Sequence, residues 1–186
     1  SDDLLSSFIF WEFLGLCSFF LIAYYNSDVK AIYSSTMAFW ITRFGDLFFL
    51  MGLIIIYLGS QSLSISSINN FLINSNNYSD NLALFFILIG IFTKCAQYPF
   101  TIWLPRAMKG PTPVSALIHS ATMVVAGIFL LFKLSSSIEF YPFIKDTIFY
   151  VGLITSLICS IYAFYESDLK GILAYSTLSH IGFMLI

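Results

Sequence analysis

The sequence predicts an all-α integral membrane protein, and its composition is the first observation that does so. Hydrophobic residues make up 59% of the 186 residues and charged residues only 10%, with a mean hydropathy of +0.88. Soluble domains carry about 25% charged residues. A chain this apolar cannot cover a water-facing surface, so its solvent must be lipid. Residues 1–186 are expected to form one membrane domain that leaves no room for a soluble one.

Six long apolar stretches are the second observation, and they predict about six transmembrane helices. Each stretch is long enough to cross the roughly 30 Å hydrocarbon core of a bilayer. Membrane-spanning strands are disfavoured because the apolar runs are continuous and lack alternation. The predicted helices are about Leu5–Tyr25, Met37–Leu58, Leu82–Leu104, Pro113–Leu134, Phe143–Tyr165 and Asp168 to the end of the chain.

The connections between these stretches are polar. The Ser/Asn tract Ser60–Asp80 and the segment Ser135–Asp146 are expected to be surface loops. Thr112 before Pro113 is typical of an N-cap followed by proline at the first helical position. Ser167 and Asp168 are expected to open the last helix in a similar way, because an acidic side chain is favoured at a helix N-terminus.

Basic residues in the loops indicate the orientation in the membrane, since cytoplasmic loops carry an excess of Lys and Arg. Four basic residues fall in alternate loops counted from the first connection, and two fall in the opposite loops. The first group is therefore expected on the cytoplasmic-equivalent side, which is the matrix side in a mitochondrion. The first group is Lys30, Arg106, Lys109 and Lys170, and the second is Lys133 and Lys145.

Several classes of site are disfavoured. The net charge of −2 gives no indication of nucleic-acid binding. Cys17, Cys95 and Cys159 are far apart, each within an apolar run, and they form neither a CxxC pair nor a Cys/His cluster. Disulfides, zinc and iron–sulfur ligation are therefore not expected. The chain starts at Ser1 without a basic region and cleavage site, which indicates a fragment or a split gene product rather than a signal peptide.

Lys94 lies in the middle of the third predicted helix, where an isolated charge costs about 3 kcal/mol or more. Pro99 follows five residues later and crowds the carbonyl of Cys95, so the helix should kink or break just after the lysine, near Pro99. Broken helices at membrane depth line cavities or ion paths. Desolvation favours neutral lysine and a nearby carboxylate favours the charged form, which is the chemistry that a proton relay needs.

Two further charged or titratable residues lie inside predicted spans. Glu12 has little that is polar around it in the first helix; it is either functional or close enough to the interface to be hydrated. His119 continues a stripe of Ser115, Thr122 and Ala126 at helical spacing. Because histidine titrates near physiological pH, it can pass protons in either direction. The alternative is a histidine satisfied within the core.

Three more charges have weaker assignments. Arg43 and Asp46 stand three residues apart in the second helix and are predicted to pair with each other, mainly as a structural feature. Lys170, in the first turn of the last helix, is equally consistent with an interface anchor and with a functional group. His180 lies close to the end of the chain, and the pattern around it assigns it no role.

These residues lie in a segment that resembles a known family. Residues 93–119 read TKCAQYPFTIWLPRAMKGPTPVSALIH, which is similar to the signature of the antiporter-like subunits of complex I, most closely chain 5 of NADH:ubiquinone oxidoreductase. Three further stretches agree with the family's fifth, sixth and tenth helices. They are FWE at 10–12 followed by SF at 18–19, TRFGD at 42–46, and DLK at 168–170 followed by AYSTLS at 174–179.

The resemblance implies a role for each matching residue. Glu12 matches the family's key glutamate, Lys94 its central lysine in a broken helix, and His119 the histidine that connects a half-channel to the central axis. It also implies an inverted-repeat bundle, of which this chain would hold four helices of the first repeat and two of the second. Lys109 departs from the family's usual glutamate, and His180 from a polar uncharged residue.

By that resemblance the chain is expected to be a proton-translocating subunit of complex I in the mitochondrial inner membrane. Glu12 and Lys94 would form a switchable pair that passes a proton toward His119. NADH, FMN, iron–sulfur clusters and ubiquinone would be bound elsewhere in the complex, and none in this chain. Expected partners are the other membrane-arm subunits, a second chain or segment supplying the missing helices, and lipids, with no nucleic acid.

Two alternatives remain open at this point. The chain is also consistent with a subunit of a related Na⁺/H⁺ antiporter or membrane-bound hydrogenase, including one in a bacterial inner membrane, because such proteins share the ion path. It is also consistent with a purely structural fragment that completes a split subunit, in which the buried charges only hold helices together. Neutralising Lys94 would then reduce assembly rather than transport.

Overall fold

The computed structural model describes residues 2–25, 28–75, 77–118 and 122–186. Within these residues the chain is helical, apart from one isolated bridge between Asp3 and Ser64, which confirms the predicted fold class. Helices α1, α2 and α8 are long and apolar enough to cross a membrane. The α-helices are α1 Leu4–Ile22, α2 Val29–Ser60, α3 Ile65–Ser75, α4 Tyr78–Lys94, α5 Trp103–Ala107, α6 Thr112–Ala116, α7 Met123–Ile138, α8 Pro142–Tyr165 and α9 Leu169–Met184.

Helix α2 begins well before the predicted apolar stretch. The Asp28 carboxylate accepts a hydrogen bond from the Lys30 backbone N–H at 2.9 Å and so caps the helix. The polar residues of the first turns are satisfied internally, because Ser34 donates to the Lys30 carbonyl at 2.7 Å. The resulting 32 residues extend about 48 Å, longer than the hydrocarbon core. The apolar run therefore predicted the membrane-crossing part of α2 but not the residue at which the helix begins.

The expectation that Ser60–Asp80 is a loop is wrong, because helix α3 occupies most of it. Ile65, Ile68 and Leu72 are buried at helical spacing, while the serines and asparagines between them take the other face. The Asn69 amide donates to the carbonyl of Lys133 in α7 at 3.2 Å. Helix α3 is thus an amphipathic cap on one end of the bundle.

The second predicted loop, Ser135–Asp146, is also shorter than expected. Helix α7 continues to Ile138 and α8 begins at Pro142, so only three residues connect them. Ser135 remains helical because its hydroxyl donates to the carbonyl of Phe132 at 2.8 Å. Serine-rich composition therefore did not end the helix here, since a serine hydroxyl can find a partner one turn back, and the Ser137 hydroxyl donates to the Asn69 side chain of α3.

The predicted interruption of the third span near Pro99 is confirmed, and it begins directly after Lys94 as expected. Helix α4 ends at Lys94, and Ala96 has a left-handed backbone with φ of 50°. The chain then turns through a 3₁₀ segment, Phe100–Ile102, into α5. The fourth predicted span is likewise two helices, α6 and α7, and the backbone of Thr122 before α7 is not helical.

Helices α1, α2 and α4 pack around a common centre, with α2 in the middle, while α8 and α9 form an adjacent pair. Small residues allow α2 and α4 to approach closely: a Cβ at Gly90 would stand 2.7 Å from the Cβ of Phe49. Such contacts are typical of helix pairs in membranes. This close packing brings the middle of α2 to the C-terminal end of α4, where Lys94 lies.

The basic loop residues fall at two ends of the bundle as predicted. The Lys170 ammonium donates to the carbonyl of Gly110 at 3.3 Å, and Gly110 lies against the backbone of Ile22 at the end of α1. Lys133 lies 3.7 Å from the Asp2 carboxylate, before the start of α1. The grouping of the charges is therefore seen, and which end faces the cytoplasm stays a prediction.

Candidate functional site

Lys94 is the last residue of α4, and its side chain is only 1% exposed. Its ammonium nitrogen lies 3.4 Å from Oδ2 of Asp46 in α2. It also donates to the backbone carbonyl of Trp11 in α1 at 3.2 Å and lies 5.6 Å from the centre of the Trp11 ring. A carboxylate, a carbonyl and an aromatic face thus surround a cation that has almost no access to solvent.

Asp46 is the counter-charge, and it too is buried, at 3% side-chain exposure. Its Oδ1 accepts a hydrogen bond from the indole N–H of Trp11 at 2.8 Å. Its Oδ2 faces Lys94 at ion-pair distance but has no well-aligned hydrogen bond among the described residues. Since a carboxylate offers about four acceptor sites, Asp46 keeps free capacity for a second donor or a proton.

A second ion pair lies beside the first. Glu12 in α1 pairs with Arg43 in α2, and each side chain is about a quarter exposed, at 24% and 25%. The Arg43 guanidinium also lies 4.9 Å from the centre of the Phe39 ring. This pair is closer to the outside of the described bundle than the Lys94–Asp46 pair, so its environment is less strongly desolvated.

Neither expected pair is formed in the arrangement described here. Arg43 does not pair with Asp46 on its own helix but with Glu12, and Lys94 pairs with Asp46 rather than with Glu12. The reason is tertiary: each α2 side chain finds an opposite charge on a different neighbouring helix. Arg43 nevertheless lies close enough to interact electrostatically with both Asp46 and Lys94.

The four side chains therefore form a row of alternating charge across three helices, in the order Glu12, Arg43, Asp46, Lys94. Three of the four can exchange protons, whereas arginine stays charged in proteins. Helix α2 carries the two middle members, three residues apart, so a rotation of either side chain can bring them together. The side chains in this row can exchange ion-pair partners without moving net charge out of the site.

The end of α4 is held by side chains that the sequence analysis assigned no role. The indole N–H of Trp103 in α5 donates to the carbonyl of Thr93 at 2.9 Å. The Gln97 amide N–H₂ donates to the carbonyl of Cys95 at 3.1 Å, and the Gln97 backbone N–H to the carbonyl of Phe92 at 2.9 Å. Carbonyls freed by the helix break are thereby satisfied, which is the condition for broken backbone at membrane depth. The feature of the sequence that could have indicated this contact is a tryptophan a few residues after the break, since a buried indole N–H needs an acceptor.

The remaining predicted site residues are less central. His119 lies outside the described residues. Ser115 in α6 donates to the Pro111 carbonyl at 3.2 Å, and Thr122 before α7 donates to the Leu117 carbonyl at 3.0 Å. Both are local bonds, and the expected polar stripe through His119 stays a prediction. Lys170 ties the start of α9 to Gly110.

Among the described residues, no cluster of three or more His, Cys, Asp or Glu side chains could hold a metal ion. All three cysteines are free, and Cys95 donates from its thiol to the Val124 carbonyl at 3.1 Å. The chemistry that the described site can support is therefore proton exchange and ion pairing among the side chains of the charge row.

Comparison with known proteins adds family information to this geometry. The sequence profile of the family described as "NADH:quinone oxidoreductase/Mrp antiporter, TM" matches residues 1–186. The chain is 43% identical over 186 residues to the "Putative antiporter subunit mnhA2" of Staphylococcus aureus (strain USA300 / TCH1516). That match covers the whole of this chain and 23% of the relative's length.

Two solved structures are also similar. The structure of the Mrp complex from Dietzia sp. DQ12-45-1b aligns over 100% of this chain and 20% of that chain, with a TM-score of 0.93 and 34% sequence identity. The membrane-bound sulfane sulfur reductase, an archaeal respiratory membrane complex, aligns over 98% of this chain and 38% of that chain. Its TM-score is 0.85 at 21% identity, so it shares the fold.

Proposed function

The chain belongs to the NADH:quinone oxidoreductase/Mrp antiporter transmembrane family, and on this premise we propose that it forms the proton-carrying part of a cation/proton antiporter subunit. The single observation that carries the proposal is the buried row of alternating charge that ends at Lys94. Charged groups in a membrane interior are costly and mark ion or proton paths. The proposed location is a bacterial membrane, crossed several times.

The names of the relatives favour an antiporter over the complex I chain 5 expected from the sequence. One relative is described as an antiporter subunit, and one structural neighbour is an Mrp complex. Both belong to bacteria, so the similarity supports a bacterial membrane rather than the expected mitochondrial one. Since the chain spans 23% of the relative's length, the remaining helices and the subunits around them are proposed as its partners.

We propose that protons move by an exchange of partners within the row. In the arrangement described here, Lys94 is paired with Asp46 and Glu12 with Arg43. If Asp46 turns to Arg43, the Lys94 ammonium loses its counter-charge in a desolvated site and releases a proton. Glu12, released by Arg43, then takes up a proton. In the return step the proton held by Glu12 passes along the row to Lys94, which restores both pairs, so the row alternates between two states of equal net charge and one proton has crossed it.

The proton acceptor beyond Lys94 is proposed from the sequence alone to be His119. Its imidazole would accept the proton and pass it on, because histidine titrates near neutral pH. Glu12, at the opposite and partly exposed end of the row, is the entry or exit point. The exchanged cation is proposed to be Na⁺ or another monovalent ion, bound in the complete antiporter.

The test replaces Lys94 by Met in the full-length subunit within its complex. Lys94→Met is expected to abolish cation-dependent proton efflux from everted membrane vesicles while the complex still assembles, as judged by native gel electrophoresis. The control is Lys145→Met, because Lys145 is an exposed lysine in the first turn of α8 and lies outside the charge row. Unchanged transport in Lys94→Met would contradict the proposal. If less complex assembles but the assembled fraction transports normally, the result would favour a structural role.

A further inference from the structure

A buried polar contact connects the helix break after Lys94 to helix α8. The hydroxyl oxygen of Thr155 in α8 lies 2.6 Å from Oε1 of Gln97, three residues beyond Lys94. Both side chains have no solvent exposure. Among the described residues, this is the polar contact that connects Gln97 to the α8–α9 pair; its other hydrogen bonds stay within the segment around the helix break.

The direction of this hydrogen bond follows from its neighbours. The Cys95 carbonyl can only accept, so the Gln97 amide must point its N–H₂ group toward it, at 3.1 Å. The amide oxygen then faces Thr155, and the threonine hydroxyl must be the donor. Gln97 therefore needs Thr155 to be fully satisfied, and losing that donor leaves a buried acceptor without a partner.

The Thr155 hydroxyl also has other acceptors within reach. The carbonyls of Val151 and Gly152, one turn earlier in α8, each lie 2.9 Å from its oxygen. A hydroxyl carries a single hydrogen, so it can donate fully either to Gln97 or to its own helix. The contact thus has two discrete arrangements, which is the property that a coupling element needs.

Helix α9 lies directly against this hydroxyl. A Cβ at Gly182 would stand 2.6 Å from the Thr155 hydroxyl oxygen and 2.8 Å from the Gly152 carbonyl oxygen. The absence of a side chain at Gly182 lets the α9 backbone approach both the hydroxyl and one of its alternative acceptors. A small shift of α9 along α8 therefore changes the space around the Thr155 hydroxyl.

We propose that Thr155 is a positioning residue that transmits the packing of α9 on α8, through Gln97, to the segment that holds Lys94 in place. The proposal rests on the proposed antiport function, since it concerns the efficiency of the Lys94 proton step. Among the described residues, the charged groups near Lys94 are Asp46 and Arg43 in α2, with Glu12 of α1 beyond Arg43, and Lys133 of α7, which lines the same cavity as Lys94. Thr155 carries no charge and acts only by placing the backbone after Lys94.

The experiment measures cation/proton antiport by the full-length subunit in its complex, in everted vesicles, as a function of pH and of Na⁺ concentration. Thr155→Val keeps the shape and removes the donor. It is expected to lower the maximal rate about fivefold and to displace the midpoint of the pH profile by about half a unit, as for one lost hydrogen bond. The Na⁺ concentration for half-maximal rate should not change.

Two matched variants test the hydroxyl itself. Thr155→Ser retains the donor and is expected to restore the rate and the pH midpoint. Thr147→Val removes an exposed hydroxyl on the same helix, one that donates to the Phe143 carbonyl at 2.7 Å, and should behave like the unmodified protein. If Thr155→Val does not assemble, Thr155→Cys, with the size of serine and a weak donor, replaces it in the same assays.

The outcomes separate this proposal from the antiport function. An unchanged rate and pH midpoint in Thr155→Val, or in Thr155→Cys where Val does not assemble, overturns the positioning role. So does a Thr155→Ser variant that is as impaired as Thr155→Val. If Lys94→Met still transports, the proposed function itself fails. If Lys94→Met is inactive and Thr155→Val is fully active, only the positioning role is lost.

Discussion

The ammonium of Lys94 occupies the space that a side chain at Gly15 would fill. A Cβ placed on Gly15 would stand 2.7 Å from the Lys94 nitrogen, and apart from the adjoining α1 backbone no other atom of the described residues would lie within 4 Å. Gly15 lies one turn after Trp11, whose carbonyl oxygen receives the Lys94 hydrogen bond. Helix α1 therefore packs directly against the ammonium. The size of residue 15 determines whether the Lys94 nitrogen can lie close to both the Trp11 carbonyl and the Asp46 carboxylate.

Gly15→Ala is expected to reduce transport about tenfold, because even a sub-ångström displacement of a reacting group costs a large factor in rate. No charge changes, and the clash involves the flexible end of a lysine, so the complex should still assemble. The assay is antiport in everted vesicles. Gly110→Ala is the control, since its Cβ would meet its nearest neighbour at 3.4 Å, and its activity should stay within about twofold. Full activity of Gly15→Ala would contradict the tight placement of Lys94.

The Lys94–Asp46 pair should show strong coupling in a double-mutant cycle. Asp46→Asn or Lys94→Met alone leaves one buried charge without its partner, which costs about 3 kcal/mol or more of the free energy of unfolding. The double variant removes both charges and should recover most of that loss. Unfolding in detergent micelles measures stability, and all three variants are expected to lack transport. A double variant as unstable as the sum of the single ones would argue against a direct buried pair.

Composition and single residues predicted much of the fold but not the pairing of its charges. The apolar runs gave the spans, and Pro99 indicated a break near its true position. The pairs were missed because sequence spacing reports only neighbours on one helix. Arg43 and Asp46 look like partners because they are three residues apart on α2. The close packing at Gly90 instead brings Lys94 of α4 to Asp46. The separation between two helices cannot be predicted from the residue spacing within either one.

Helix α3 was missed for a different reason. Its composition is that of a loop, and the helical signal rests on Ile65, Ile68 and Leu72 alone. Three apolar residues at helical spacing become decisive only when α2 and α7 provide a surface for them to pack on, because a helix this short is marginal in isolation. The end of α4 is similar: the left-handed Ala96 and the Trp103 bond depend on contacts that form only in the folded chain.

Glu12→Gln should separate transport from stability. Because Glu12 and Arg43 are each about a quarter exposed, loss of the pair is expected to lower the free energy of unfolding by about 1 kcal/mol or less. Transport should nevertheless be strongly reduced, since Glu12 is the terminal proton carrier of the row. Exposed Glu139 at the end of α7 provides the control, as Glu139→Gln should leave both quantities unchanged. An active Glu12→Gln variant would exclude Glu12 from the proton path.

Tyr141→Phe should lower stability and leave transport unchanged, the reverse of what is expected for Glu12→Gln. The buried Tyr141 hydroxyl donates to the Leu72 carbonyl of α3 at 2.8 Å, far from the charge row in sequence. Removing it is expected to lower the free energy of unfolding by about 1 to 3 kcal/mol, because a buried acceptor loses its donor. Antiport by the assembled complex should remain normal. Tyr78, which is almost fully exposed, supplies the control Tyr78→Phe. Impaired antiport in Tyr141→Phe would indicate that α3 takes part in transport.

Trp103→Phe tests whether the break after α4 needs its side-chain donor. The buried indole N–H of Trp103 donates to the Thr93 carbonyl directly before Lys94, and phenylalanine keeps an aromatic ring without a donor. The variant is expected to lose about 1 kcal/mol of unfolding free energy, because that carbonyl loses its shorter hydrogen bond and keeps the 3.4 Å bond from the Ala96 backbone N–H. It should also transport more slowly, since the end of α4 that carries Lys94 is no longer fixed. Trp40→Phe, at an exposed tryptophan of α2, controls for loss of an indole as such. Equal stability and transport in the two variants would mean that the break holds its shape without the Trp103 bond.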